Sequence, residues 1–422
     1  MVDFFKSGFE NKESKMIISE IGVEEIAKKY KTPLYVVNQK TIEEKCQILH
    51  NAISKITKNY EIHYAMKANS NISILKIIKN QEVFIDAVSV GEIIAAKKAG
   101  FKKSEIMFTG TSVSDEELEE LSKMGVKLNF DSISALDRLL KIKTPKLISF
   151  RINPETGAGH HSHVVTGGPD TKFGVWEVDA VEAYKKAKEA GVRKFGIHMH
   201  IGSNVFDFED FSKALERFLE IAAKIKREVK IDFEFIDIGG GLGVPYKIEQ
   251  KELDLEEFGE KVIRKFVTKS KELDLGEPKF IIEPGRFLVA DSTVLLTKVN
   301  TIKKTPYKTF VGVDAGFNTL VRPAMYGSYH YIFVNGKIGE KESEKYDIVG
   351  PICESGDFFA KDRLMPKIEE GDLLIIMTAG AYGYSMSSTY NLRPRAAEVL
   401  INNSEISEIR KRETFKDLMK KQ

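Results

Sequence analysis

Lys67, His200 and Glu283 each close a short apolar run, in YAMKANSN, HMHIGSN and EPGRFLVADS, and supply an amine, an imidazole and a carboxylate. A lysine ending a buried strand is costly to keep charged, because desolvation disfavours the ammonium. The neutral amine that results is a good nucleophile for an aldehyde. A lone lysine in such a place more often just reaches solvent, so its neighbours decide the matter. A carboxylate such as Glu283, set against a pyridine nitrogen, keeps that nitrogen protonated so that the ring accepts electrons. Taken alone, Glu283-Pro284-Gly285-Arg286 suits a structural ion pair equally well. His200 could stack on a flat ring, although a lone histidine is more often a hydrogen-bonded core residue.

The turn Asp237-Ile238-Gly239-Gly240-Gly241-Leu242-Gly243 lets backbone N–H groups come close to a phosphate. The dinucleotide fingerprint fits poorly, because counting from Gly239 puts Val244 in the third glycine position. Three consecutive glycines cost too much chain entropy for a plain tight turn. Cys353, in the polar, glycine-bounded segment GPICESGD, suits an exposed thiol able to deliver a proton. Cys46 falls in a helical pattern and reads as a small core residue. His160, His161 and His163 have metal-like spacing but lack a matching carboxylate or cysteine set. No metal is expected, and these histidines read as a polar loop over the site.

The elements that must position these groups show a regular pattern. Between residues 60 and 285, eight apolar runs alternate with amphipathic helical segments. The runs are EIHYAMKA, VFIDAVS, EIMFTG, VKLNF, KLISFRIN, KFGIHMHIG, FEFIDIGG and KFIIEPG. Ser114, before an acidic turn in SDEELEELSKMG, reads as a helix N-cap. Eight β-then-α units predict a TIM (β/α)8 barrel, with a doubly wound open sheet as the competing arrangement. In a barrel the ends of the strands form one mouth, and there stand Lys67, Asp86, Ser89, Arg151, His200, Ser203, Gly239, Gly240, Gly241, Glu283, Gly285 and Arg286.

After residue 285 the pattern turns to β-type runs with few helices between them, which predicts an antiparallel β-sandwich or barrel domain. The expected division is 38–285 for the barrel, with 1–37 and 286–422 forming the β domain. LYVVN, residues 34–38, is an extended run before the barrel. The tail SEISEIRKRETFKDLMKKQ reads as a surface helix.

Seven segments in order resemble the alanine-racemase-type barrel decarboxylases that use pyridoxal 5′-phosphate, and among them the diaminopimelate decarboxylases. They are YAMKANSN, HMHIGSN, DIGGGLG, EPGRFLVADS, RPAMYGSYH, GPICESGDFFAKDR and GAYGYSMSSTYNLRPRAAEVL, spread over residues 33 to 400. The resemblance implies that Lys67 holds the cofactor as a Schiff base, that His200 stacks on its ring and that Glu283 pairs with its nitrogen. It implies that Asp86, Arg151, Ser203, Gly239, Gly240, Gly241, Pro284, Gly285, Arg286 and Tyr382 hold or adjoin the cofactor. Arg286, Arg322 and Tyr326 match positions that bind a substrate's far carboxylate, for which an arginine fork is suited, and Tyr382 is counted with the substrate-binding positions. Glu354 would meet the far amine. Cys353, from a partner subunit, would donate a proton, so a homodimer with shared active sites is implied. The family's His-Pro segment is replaced here by Gly159-His160-His161-Ser162-His163, as in only a subset of its members.

The implied reaction is decarboxylation of meso-2,6-diaminopimelate to L-lysine and CO2, the last step of lysine biosynthesis. Weighed beside it are decarboxylation of D-ornithine, D-lysine or carboxynorspermidine on the same scaffold, a racemase, and a non-catalytic pyridoxal-phosphate carrier. Composition excludes other classes. The formal charge of +2 is spread without a basic stripe, so neither nucleic acid nor an anionic membrane is an expected partner. No apolar run reaches the roughly 18 residues of a membrane span, and no signal peptide is read at the start. Two cysteines cannot build a disulfide framework, which fits the cytoplasm.

Overall fold

The structure is a computed structural model describing residues 3–154 and 171–422. His160, His161 and His163 lie outside the described residues. The chain divides into two compact units: Lys45–Gly243 with Leu253–Gly285, and Met1–Glu44 with Val244–Glu252 and Arg286–Gln422.

The first unit is a closed barrel of eight parallel strands: Tyr60–Ala65, Phe84–Ala87, Ile106–Gly110, Lys127–Phe130, Leu147–Arg151, Lys194–His198, Phe233–Asp237 and Lys279–Ile282. It closes where Phe280 pairs with Tyr60, which rules out the open doubly wound sheet. Each strand is a short run rich in Ile, Val and Phe because both its faces are covered. The helices between them carry their own stop signals. Ser114 caps Asp115–Met124 in a capping box with Glu117, and Gly125 ends that helix in the left-handed region.

Register puts the polar strand ends at one level. His198 pairs with Arg151 on one side and with Asp237 on the other. Asp86 pairs with Ala65, two residues before Lys67. At the opposite end, Glu61 of the first strand accepts from His63 Nε2 at 2.9 Å and Lys127 Nζ at 3.1 Å, and also pairs with Lys279.

The second unit holds a nine-stranded, mostly antiparallel sheet and a small three-stranded sheet near the N-terminus. Leu34–Asn38 lies inside the larger sheet, antiparallel to Thr293–Lys304 and parallel to Ala397–Asn402. Its alternating residues feed two apolar layers. Tyr35 and Leu295 join one cluster, while Leu34, Val36, Val294 and Leu296 join the other. Period-two alternation with both faces buried explains why all five residues of Leu34–Asn38 are buried.

One reading of the sequence needs correction here, and one strand went unread. The tail is not one helix: Glu405–Arg410 is a strand paired with Ala397–Asn402, and only Phe415–Met419 is helical. The alternation in EISEIR is a strand pattern that its charges disguise. Phe358–Met365 is also a strand, against Glu344–Val349, although Lys361, Asp362 and Arg363 interrupt its apolar run.

Candidate active site

Lys67 stands on a single 3-10 turn, Met66–Ala68, directly after the first barrel strand. Its Nζ lies 3.4 Å from Asp86 Oδ2, and its side chain is 37% exposed while that of Asp86 is fully buried. The burial expected of Lys67 is therefore only partial. Its amine has a carboxylate beside it. Burial pushes Asp86 up to about 6, with Glu283 adding to the rise and Lys67 opposing it.

Arg151 ends the fifth strand. Its Nη2 donates to the His200 carbonyl at 3.1 Å, and its guanidinium lies 4.5 Å from the Phe173 ring centroid. Burial lowers it to about 10, so it stays a cation. His200 accepts the Gly240 N–H at Nδ1, 3.0 Å away. Desolvation, helped by the charges of Arg151 and Lys67, holds His200 well below the usual histidine range. A neutral, flat imidazole is thus fixed at the mouth.

Glu283, 4% exposed, follows the eighth strand. Its Oε2 takes a hydrogen bond from His198 Nε2 at 3.0 Å, and its Oε1 has no partner among the described residues. Burial alone would raise Glu283, but the charge and hydrogen bond of His198, with Lys67 and His200, pull it well below the carboxylate range. Sequence reasoning passed over His198, the first histidine of HMHIGSN, because only the fold shows what it touches.

The three glycines answer to packing as much as to any ligand. Gly239 has φ +69°, and a Cβ there would overlap the Met199 carbonyl; on Gly240 it would overlap the Glu283 carbonyl. The Gly239 N–H donates to Asp237 Oδ1 at 2.8 Å and the Gly240 N–H to His200. The Gly241 carbonyl accepts from Val205 N at 2.8 Å, which stitches the Ser203 turn to the glycine turn. Pro284 and Gly285 continue from Glu283. The Pro284 carbonyl accepts from Ala65 N at 3.2 Å, and a Cβ on Gly285 would press on Ala65 and Ala68.

In the other unit, Arg286 and Arg322 gather around Tyr246, which sequence reasoning passed over, and Tyr382 lies beside Arg286. Arg286 Nη1 donates to the Tyr246 hydroxyl at 2.7 Å. The Arg322 guanidinium lies 4.7 Å from the Tyr246 centroid, and Arg286 lies 5.1 Å from that of Tyr382. Tyr382 holds φ +57°, a strained conformation for a side chain of its size. Both arginines are buried. Tyr326 ends the short helix Arg322–Tyr326, whose turn is closed by Gly327 in the left-handed region.

Cys353 and Glu354 form a separate group of that unit. Cys353 is exposed, and its N–H donates to Asn391 Oδ1 at 2.8 Å. Glu354 accepts from the Tyr390 hydroxyl at 2.8 Å. Asp357 staples the turn, taking the Ile352 N–H at 2.7 Å and the Phe317 N–H at 2.6 Å.

Comparison with known proteins shows the family. Residues 39–290 match the family described as pyridoxal-dependent decarboxylase, pyridoxal binding domain. The chain is 48% identical over 413 residues to the diaminopimelate decarboxylase of Methanothermobacter thermautotrophicus, covering 98% of this chain and 96% of that one. The crystal structure of diaminopimelate decarboxylase from M. jannaschi superposes with a TM-score of 0.91 at 34% identity, over 98% of this chain and 97% of that one. The Helicobacter pylori diaminopimelate decarboxylase, solved with L-lysine, gives 0.86 at 37% identity, over 94% and 98%. This chain belongs to the family of pyridoxal-dependent decarboxylases and, within it, to the diaminopimelate decarboxylases.

Proposed function

We propose that this chain removes CO2 from meso-2,6-diaminopimelate to give L-lysine, the closing step of lysine biosynthesis, with pyridoxal 5′-phosphate as cofactor. One observation carries the reading: Lys67, Asp86, His200 and Glu283 meet at the carboxyl end of a closed barrel in a chain 48% identical to a diaminopimelate decarboxylase. The residues fit the cofactor. Glu283 offers a buried, unpartnered acceptor for a ring N–H.

When bound, the cofactor supplies a protonated aromatic ring that takes up the electron pair freed as the carboxylate leaves. The chain does the rest. Lys67 holds the cofactor through its amine, and the Asp86 carboxylate steadies that amine. Glu283 holds the proton at the ring nitrogen. His200, kept neutral, presents its flat face to the ring, and Arg151 fixes the His200 backbone. Ser203, Gly239, Gly240, Gly241 and Gly285 would hold the phosphate. Arg286, Arg322 and Tyr326 grip the far carboxylate of the substrate, and Glu354 meets its far amine.

Cys353 of the partner subunit delivers a proton to Cα, so the working form is a homodimer with shared sites. The exposure of Cys353 supports this. The enzyme works in the cytoplasm, in keeping with two cysteines that form no disulfide among the described residues, and no helix among those residues is long and apolar enough to cross a membrane. The relative crystallised with L-lysine supports the product.

The test is CO2 release from a panel of meso-diaminopimelate, D-ornithine, D-lysine and carboxynorspermidine. Preference for diaminopimelate is expected. Preference for a substrate lacking the far carboxylate would contradict the proposal.

A further inference from the structure

Asp237 and Glu283 present a charge problem that His198 alone does not solve. Asp237 ends the seventh barrel strand in register with His198, and Glu283 follows the eighth. Asp237 is fully buried. One ligand atom from each of His198, Asp237 and Glu283 lies within 4.8 Å of the other two. The accounting of hydrogen bonds is nearly complete. Asp237 Oδ1 takes the Gly239 N–H at 2.8 Å and Glu283 Oε2 takes His198 Nε2 at 3.0 Å. Asp237 Oδ2 and Glu283 Oε1 are left, both buried and without a donor among the described residues.

Two carboxylates this close in a water-poor interior repel strongly when both are ionised, and one proton shared between them removes the repulsion. The charge of Lys67 helps to lower Glu283 and that of Asp86 adds to the rise of Asp237, but neither gives Asp237 Oδ2 or Glu283 Oε1 a donor. Lys67 stands against Asp86, and Arg151 points to the His200 carbonyl and the Phe173 ring. His200 is kept neutral.

We infer that Asp237 is a positioning residue that stays protonated at neutral pH and donates its Oδ2 hydrogen to Glu283 Oε1. The inference rests on the proposed function only for the task it gives Glu283. The proton sits on Asp237 because Glu283 has the imidazole donor and Asp237 has a single backbone amide. The electrostatics point the same way: burial, then the charge of Glu283, pushes Asp237 well above the carboxylate range. A carboxylate oxygen has two lone pairs, so Oε1 can accept from Asp237 and still meet a ring N–H. Held from two sides by His198 and Asp237, Glu283 stays anionic and aimed.

Infrared spectroscopy of the cofactor-free protein at neutral pH tests the proton directly. A carboxylic-acid carbonyl band present in the wild type and missing from Asp237→Asn is expected. No difference in that band would overturn the inference. Kinetics give the second arm. Asp237→Ala should lower kcat by about tenfold, the worth of one hydrogen bond to a charged group, with little change in KM. Asp237→Asn, whose amide N–H still reaches Glu283, should recover most of that loss. An Asn variant no better than Ala would also overturn it. If Ala fails to fold, the infrared comparison still decides. The band does not depend on which amino acid is decarboxylated, so a failed substrate panel with the band present would refute the function and leave this arrangement standing.

Discussion

Arg322 Nη1 lies 3.0 Å from His330 Nε2, and His330 Nδ1 lies 2.8 Å from the Met377 carbonyl oxygen. Arginine can only donate and a carbonyl can only accept, so the imidazole must be neutral with its hydrogen on Nδ1. Burial first, and then the charge of Arg322, pushes His330 down to about 3, so this tautomer holds across the working range of pH. His330 also packs edge-on against Tyr246, 5.1 Å between centroids. The imidazole therefore sets the direction in which Arg322 presents its remaining donors.

Replacing His330 should damage substrate binding before chemistry. His330→Phe removes the acceptor and is expected to raise KM for diaminopimelate about tenfold, the cost of a lost hydrogen bond to a charged group. Cofactor affinity should change little. His330→Gln, which can both accept and donate, should lie between. Steady-state kinetics with a cofactor titration separates the two effects; an unchanged KM for the Phe variant would contradict this role for His330.

Cofactor capture should depend on pH through Asp86. Its folded value of about 6 stands above the ordinary 3.8, so the carboxylate that partners Lys67 is present only above about pH 6. The rate of cofactor uptake, followed by visible absorbance, should rise through that pH, and the inflection should vanish in Asp86→Asn. The linkage has the opposite sign for stability. A raised acid favours the folded state below 3.8, and that contribution is lost as pH rises through about 6.

Gly240→Ala should fail through packing. The new Cβ meets the Glu283 carbonyl, which belongs to the barrel backbone and cannot move aside cheaply. A loss of about 1–3 kcal/mol in stability is expected, with weakened cofactor binding because Glu283 shifts. Denaturant unfolding and equilibrium dialysis measure the two. A variant as stable as the parent would show that the turn has slack the geometry denies.

Glu61 should matter for stability and not for the reaction. Burial alone would raise its carboxyl, but the hydrogen bond from His63 and the charges around it hold it well below the usual range. Its contribution is present above 4.5 and is lost as pH falls further. Glu61→Gln should cost about 2 kcal/mol at neutral pH. Thermal unfolding at pH 7 and pH 4 checks this, since the gap between variant and parent should narrow in acid.

The barrel was legible because its strands repeat one simple rule, an apolar run that stops at a polar residue. Lys67, Arg151, His200 and Glu283 could be found as those stops. Tyr246, His330 and His198 could not. Their meaning lies in contacts with Arg286, Arg322 and Glu283 that only the fold shows, although His198 and His330 stand within the quoted motifs HMHIGSN and RPAMYGSYH. The glycine turn was half legible. Its need for glycine is real, but at Gly239 and Gly240 the need comes from the neighbouring carbonyls of Met199 and Glu283. EISEIR and FFAKDRLM were hidden because exposed strand faces carry charges that mimic loop or helix composition.

The central claim is that Lys67 carries the cofactor. Borohydride reduction of the protein incubated with pyridoxal 5′-phosphate, followed by peptide mass spectrometry, tests it most directly. A pyridoxyl adduct on the peptide holding Lys67, absent from Lys67→Ala, is the predicted result. An adduct on another lysine alone, or none on a folded protein, would contradict the account.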